Sequence, residues 1–337
     1  MKWYPWLNFS YQKIIAQYQR QSGGHHALLL HSQPGNGEES LSYALRRWLM
    51  CQKKNDTKSC GVCRGCKLMI ANNHPDCYPL CQEERYPKGT IGIDDVRTVI
   101  NNIHKRAHQD GVKIVWCPYT ELLTEQASNS ILKILEEPPE DTYFLLACQT
   151  PSRLLPTIRS RCLYWKISTP NEILGIFWLK HVGYNDSLSI CAALRLCNYA
   201  PLAAQALLSP ENWEARLSLF TTLQEAYYKK DFLILLPILL NQKKSDEPLR
   251  WLLSLLSDLI KNKQESTETF LINIDKKELV NLLSTYWSDR ILKKQWEQWL
   301  QCFIQWREIS NVNYELLLTY YLLNWEKDTI NQDLARY

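Results

Sequence analysis

An α/β module with a doubly wound parallel sheet, continued by an all-α remainder, is the fold class that the sequence predicts, and three observations carry it. Short apolar runs with turn-like ends, over 26–31, 113–117 and 143–147, fit strands buried on both faces. A helical pattern separates the second run from the third, and strand, helix, strand order builds a parallel sheet. All 11 glycines lie at or before Gly183, so the chain beyond that point reads as densely helical.

Composition sets the frame for these elements. At 337 residues the chain exceeds one ordinary domain, and its 45% hydrophobic and 22% charged residues are the balance of a folded globular protein. The start, Met1-Lys2-Trp3-Tyr4-Pro5-Trp6, lacks the apolar run of a signal peptide, and no later stretch reaches 18 uncharged apolar residues. A cytoplasmic location with no membrane partner is expected. The net charge of +4 is too small to argue for strong autonomous DNA binding, so any nucleic-acid role is expected to be shared with partners.

The first run, His26-Ala27-Leu28-Leu29-Leu30-His31, leads into Ser32-Gln33-Pro34-Gly35-Asn36-Gly37-Glu38-Glu39, and Ser40-Leu41-Ser42-Tyr43-Ala44-Leu45 predicts a helix behind it. A phosphate loop sits in this context and reads Gly-x-x-x-x-Gly-Lys-Ser/Thr: backbone N–H groups wrap the phosphates, lysine neutralises them and the hydroxyl ligates magnesium. Here Glu38 stands at the lysine position and Glu39 at the hydroxyl position. A unit charge pair at about 4 Å and an effective dielectric near 20 is worth about 4 kcal/mol, so this exchange turns attraction into repulsion of that size. Pro34-Gly35-Asn36-Gly37 also reads as a plain turn before a helix.

The second run, Lys113-Ile114-Val115-Trp116-Cys117, should end in acidic residues if it served magnesium and hydrolysis. Pro118 and Tyr119 follow instead, and Glu121 lies further along. The next helix is predicted over 124–137: Thr124 caps it, Ala127, Ile131, Ile134 and Leu135 form its apolar side, and Pro138-Pro139 stops it. After the third run, residues 151–162 hold three arginines, and a guanidinium on such a loop can stabilise the charge on a phosphoryl group bound by a neighbouring subunit.

Of the 12 cysteines, Cys51, Cys60, Cys63 and Cys66 are spaced C-x8-C-x2-C-x2-C. In a reducing cytoplasm that spacing binds metal more often than it forms disulfides, and glycines 61 and 65 permit the tight turns. Four sulfur ligands with no evident water position read as structural zinc, with His74, Cys77 and Cys81 competing for the fourth place. An iron–sulfur cluster shares the short spacing but lacks the following Cys-Pro.

Polar breaks near 168–171 and 209–212 divide the rest, leaving a helical unit of about 40 residues between them. Trp251, Leu252, Leu255, Leu256 and Leu259 mark one apolar face of the remainder, and Trp296, Trp299, Leu300 and Phe303 another. Such stripes serve packing or subunit interfaces.

Five pieces in combination, "MKWYPWL", "HHALLL", "SCGVCRGCKLM", "NSILKILEEPP" and "TIRSRC", resemble the delta prime subunits of bacterial DNA polymerase III clamp loaders, within the AAA+ clamp-loader family. The resemblance is carried by residues 1 to about 166. It implies an AAA+ ATPase-like domain over 1–166 with a zinc module at about 51–66, a helical lid over 167–208 and a helical collar over 209–337. It implies zinc on Cys51, Cys60, Cys63 and Cys66, and a degenerate phosphate loop at Gly35, Gly37, Glu38 and Glu39 that binds no ATP. Ser160-Arg161-Cys162 matches the family's Ser-Arg-Cys motif, making Arg161 a trans-acting arginine finger. The lid arginine of ATP-binding relatives, in a Gly-Ser-x-Arg motif, corresponds to Tyr199-Ala200-Pro201-Leu202 and is absent.

The implied role is a rigid stator without catalysis of its own. It would sit in a five-subunit ring with gamma or tau motor subunits and the delta subunit, loading the sliding clamp on primer–template DNA for a DNA-directed DNA polymerase. Two readings from other classes stand beside it: a divergent but active P-loop ATPase, and a stand-alone zinc protein that binds nucleic acid.

Overall fold

A computed structural model describes residues 2–20, 25–80, 89–109, 111–240, 245–264, 270–309 and 313–334, with side chains to residue 332. The chain divides into two units, Met1–Thr169 and Pro170–Tyr337.

The first unit is organised by a five-stranded sheet whose strands are β1 (Ala27–His31), β2 (Cys77–Pro79), β3 (Lys113–Cys117), β4 (Thr142–Cys148) and β5 (Leu163–Lys166). Their order is β2-β3-β4-β1-β5 and every pairing is parallel. Leu29 lies in register with Leu146 on one side and Tyr164 on the other. Parallel strands need crossovers. They are supplied by α2 (Glu38–Leu49) and α3 (Arg64–Ile70), α4 (Ile93–Ile103), α5 (Glu125–Glu136) and α6 (Pro156–Ser160), while α1 (Asn8–Tyr18) precedes β1.

The three apolar runs are the three central strands, as expected, and β3 is buried along its whole length. The edge strands β2 and β5 gave no such signal for a physical reason. β2 has three residues and ends in proline, while β5 alternates half-buried with exposed side chains, its two faces being unequally covered at the edge of the sheet. In α5, Thr124 Oγ1 accepts the Ala127 N–H at 3.2 Å, and Ala127, Ile131, Ile134 and Leu135 are buried against Val96, Val99 and Ile103 of α4 and against Phe144 and Leu146 of β4.

The second unit is helical: α7 (Glu172–Val182), α8 (Ser187–Leu196), α9 (Pro201–Leu207), α10 (Pro210–Lys229), α11 (Leu236–Leu240), α12 (Glu247–Lys263), α13 (Lys277–Tyr286), α14 (Asp289–Glu308) and α15 (Tyr314–Leu334). The α12 stripe from Trp251 to Leu259 is buried as expected. On α14 the inward face differs from the expected one. Ile291, Leu292, Gln295, Trp299, Cys302 and Trp306 are buried, whereas Trp296, Leu300 and Phe303 are half-buried. The stripe read from helical spacing shares Trp299 with this face, and its other three members lie at the margin of what the 3.6-residue repeat turns inward. Among the described residues, no helix is long and apolar enough to cross a membrane.

Large aromatic side chains fill this core. Trp325 stacks on Phe232 with ring centroids 4.9 Å apart and lies 5.4 Å from Trp287 and 5.8 Å from Trp299. Elsewhere in this unit a buried polar cluster fixes the segment before α13. Arg216 of α10 donates to Asp275 Oδ2 at 2.7 Å and Oδ1 at 2.9 Å, and to Asn273 Oδ1 at 2.8 Å, with its guanidinium 4.5 Å from the Trp213 ring. Asp258 of α12 accepts from the Asn273 N–H at 2.7 Å and Nδ2 at 2.8 Å. Removing one member of such a pair strands the other charge out of water. Arg216→Ala is therefore expected to destabilise the chain by about 3–5 kcal/mol, measured by urea unfolding followed by tryptophan fluorescence.

Candidate functional site

Because all five strands are parallel, the loops after β1, β3 and β4 emerge at one edge of the sheet, where ligands bind in open α/β folds. The loop after β1 is a tight turn. Gly35 and Gly37 have φ of +77° and +88°, a left-handed backbone that side chains other than glycine rarely adopt, and α2 starts directly at Glu38.

The amino-terminal segment covers this turn. Trp6 Nε1 donates to Asn36 O at 2.8 Å, Tyr4 stacks on Trp6 at 5.1 Å, and a Cβ added to Gly37 would meet Tyr4 Cδ2 at 2.9 Å. The buried Asn36 side chain donates through Nδ2 to Ile167 O and Ser168 O, both at 3.2 Å. At the helix start, burial raises the Glu38 pKa and neighbouring Glu39 adds to the rise, against which the backbone N–H groups of Glu38, Asn36 and Gly37 pull it down. Glu38 Oε2 is buried without a hydrogen-bond partner. A carboxyl group of the chain itself thus stands at the start of α2, where a phosphate loop would turn its N–H groups on phosphate.

At the end of β3, Cys117 is followed by a 3-10 turn over Thr120–Leu122. This turn brings Glu121 back to the strand tips, where its Oε1 accepts the Gln149 N–H at 2.8 Å beyond β4 while Oε2 is buried without a partner. Sequence spacing placed Glu121 away from the site; the turn that returns it carries no residue signal beyond Pro118. The neighbouring His31 ring lies 2.5 Å from Tyr164 Oη through Nδ1, and burial, then the Lys166 cation, lowers its pKa.

The four cysteines converge. Their sulfurs all lie within 4.8 Å of one another, with Cys51–Cys60 at 3.6 Å, Cys51–Cys63 at 3.9 Å and Cys60–Cys66 at 4.0 Å. A tetrahedral zinc with Zn–S of about 2.3 Å spaces its sulfurs about 3.8 Å apart, so the donor set fits zinc. The backbone supports thiolates: the N–H of Cys60 points to Cys51 Sγ at 3.3 Å, that of Cys63 to Cys60 Sγ at 3.3 Å and that of Cys66 to Cys63 Sγ at 3.4 Å. Burial pushes the Cys63 thiol up, but N–H groups of Cys66 and Gln52 outweigh it and bring it to about 6.

Gly61 has φ of +77°, and Gly65, which lies on α3 rather than in the expected turn, has no room for a Cβ, which would stand 2.3 Å from Met50 O, so both positions exclude side chains. His74 and Cys77 are outside the cluster; His74 Nδ1 accepts the Asp76 N–H at 3.2 Å and Cys77 begins β2. Cys81 lies outside the described residues. The module is bolted to the unit by Tyr11 Oη donating to Thr57 O at 2.7 Å and Trp48 Nε1 to Asp56 O at 3.0 Å. Zinc held there would cross-link a segment with little core of its own.

Arg161 follows α6. Arg153 and Arg159 are exposed, whereas Arg161 is half-buried and its guanidinium is held by Glu136, Thr157 and Ser160. The adjacent Cys162 is buried, and burial pushes its thiol to about 12, which marks it as a packing residue. In the second unit Tyr199 has φ of +63° and Pro201 starts α9, so the stretch 199–202 contains a glycine-like turn and no arginine.

A parallel five-stranded sheet with a phosphate-loop-type turn at the tip of β1, followed by helices, is the architecture of an AAA+ module with a lid. Three family models divide the chain: "DNA polymerase III, delta subunit" over 9–171, "DNA polymerase III subunit delta', AAA+ ATPase lid domain" over 170–209, and "DNA polymerase III, delta subunit, C terminal" over 210–327. The DNA polymerase III subunit delta' of Yersinia pestis is 46% identical over 97% of this chain and 96% of its own, and that of Escherichia coli K12 is 40% identical over the same shares. The E. coli DNA polymerase III subunit tau is 30% identical over 42% of this chain and 22% of its own. The chain belongs to the family of DNA polymerase III delta prime subunits.

Cys63→Ser is expected to abolish stoichiometric zinc retention, and Gly65→Ala to weaken it through the clash with Met50 O. Metal content of the purified chain, read by plasma mass spectrometry, checks both; zinc content unchanged in Cys63→Ser would remove the assignment.

Proposed function

We propose that this chain is the stator of a DNA polymerase III clamp loader, a subunit that binds no ATP and performs no chemistry of its own. In this reading residues 1–166 form an AAA+ ATPase-like domain, 167–208 a lid and 209–337 a collar that joins a five-subunit ring in the cytoplasm. Its neighbours are a gamma or tau motor subunit and the delta subunit, and the assembly places the sliding clamp on primer–template DNA. Zinc on Cys51, Cys60, Cys63 and Cys66 is structural.

The observation that carries the reading is the turn after β1. Where lysine and a hydroxyl would meet a triphosphate, Glu38 and Glu39 stand, and Tyr4, Trp6 and Asn36 pack over the glycines. A phosphate entering here would meet a carboxylate at short range and an aromatic ring in its path. Glu121 lies beyond the end of β3 on a 3-10 turn, with one oxygen held by the Gln149 N–H and the other buried. Titration of the purified chain with Mg-ATP is expected to release no binding heat, and micromolar affinity would favour the active-ATPase alternative.

Arg161 then acts in trans, on the gamma-phosphate of ATP held by the adjacent motor subunit, where a guanidinium stabilises charge that builds on the transferred group. Arg161→Ala in the reconstituted loader is expected to cut DNA-stimulated ATP hydrolysis at that neighbouring site by about 10³–10⁵. Undiminished turnover would exclude the finger role.

A further inference from the structure

Arg161 already has an anion. Its Nε–H donates to Glu136 Oε1 at 2.7 Å and Nη2 closes on the same oxygen, while Nη1 reaches Thr157 O at 3.1 Å and Ser160 Oγ at 3.4 Å. A guanidinium has five N–H donors, and the edge formed by Nε and Nη2 is one that grips a carboxylate or a phosphate side-on. Glu136 occupies the edge that a phosphate would need.

The two partners are placed by independent parts of the fold. Glu136 is the last residue of α5, which Pro138 and Pro139 prevent from continuing. Arg161 is set by its own N–H bonding Ile158 O at 3.2 Å and by the burial of Cys162 beside it. The pair is accessible, with 51% of the Glu136 side chain and 34% of the Arg161 side chain exposed, so an incoming oxyanion can reach it. No other acidic side chain among the described residues bonds this guanidinium.

We propose that Glu136 is a positioning residue for Arg161: a placeholder anion that holds the guanidinium at the surface and is displaced when a nucleotide phosphate of the neighbouring subunit arrives. This rests on reading Arg161 as a trans-acting finger. Engagement of the finger is then an exchange of carboxylate for phosphate, and the exchange is easy because an exposed pair of this kind shifts an equilibrium by only about 1.4- to 5-fold. The placeholder suppresses turnover when the subunits are loosely apposed and yields when they close.

The test uses the reconstituted loader with wild-type chain, Glu136→Gln, Arg161→Ala and the double variant, measuring steady-state ATP hydrolysis without DNA. Glu136→Gln is expected to raise kcat about two- to five-fold with KM for ATP unchanged, and to have no effect in the Arg161→Ala background. Glu136→Asp, which keeps the charge, is expected to restore much of the suppression. If Arg161→Ala leaves turnover unchanged, the finger reading fails and the proposal with it. If Arg161→Ala removes turnover while Glu136→Gln leaves it unchanged or lowers it, the finger stands and the placeholder is overturned. An effect of Glu136→Gln that persists in the double variant also overturns it.

Discussion

Parallel pairing of all five strands is the constraint on which the rest of the first unit depends. Each strand must return through a crossover, and every strand then releases its chain at the same edge. The glycine turn after β1, the 3-10 turn after β3 and the Gln149 amide after β4 therefore lie along one edge, and the last two meet through Glu121 without any long loop to gather them. Between those tips, β1, β3 and β4 bury their side chains almost completely along their length.

How much of this was legible follows from which forces are local. Runs such as Ala27–His31 announce themselves because a strand covered on both faces must be apolar throughout. The Thr124 cap and the Pro138 stop are equally local, and the cysteine cluster was readable because C-x2-C-x2-C confines three sulfurs to one turn of chain. β2 and β5 escaped because an edge strand answers to neighbours on one side only. On α14 the spacing found Trp299, but 3- and 4-residue steps from it also reach Trp296, Leu300 and Phe303, which lie at the margin of the buried face.

The contacts that shape the candidate site were the least legible, since they join residues far apart in sequence. Trp6 and Asn36 are 30 positions apart and Arg161 and Glu136 are 25 apart, and no spacing rule links either pair. The motif "NSILKILEEPP" pointed to a helix end, but not to a carboxylate poised under an arginine. Glu121 was visible as an acid yet unplaced until its turn was known. Charge at the phosphate loop could be read from Glu38 and Glu39 alone, whereas the aromatic cover over Gly37 could not.

The bonds made by Asn36 tie two regions that are distant in the chain. Its Nδ2 is shared between Ile167 O and Ser168 O, immediately after β5 and just before the division at Thr169. The glycine turn cannot reshape while that carboxamide is seated, and the chain cannot leave β5 in another direction without unseating it. One buried side chain thus works as a cotter pin through the exit of the sheet, so that rigidity at the turn and rigidity at the exit are a single property.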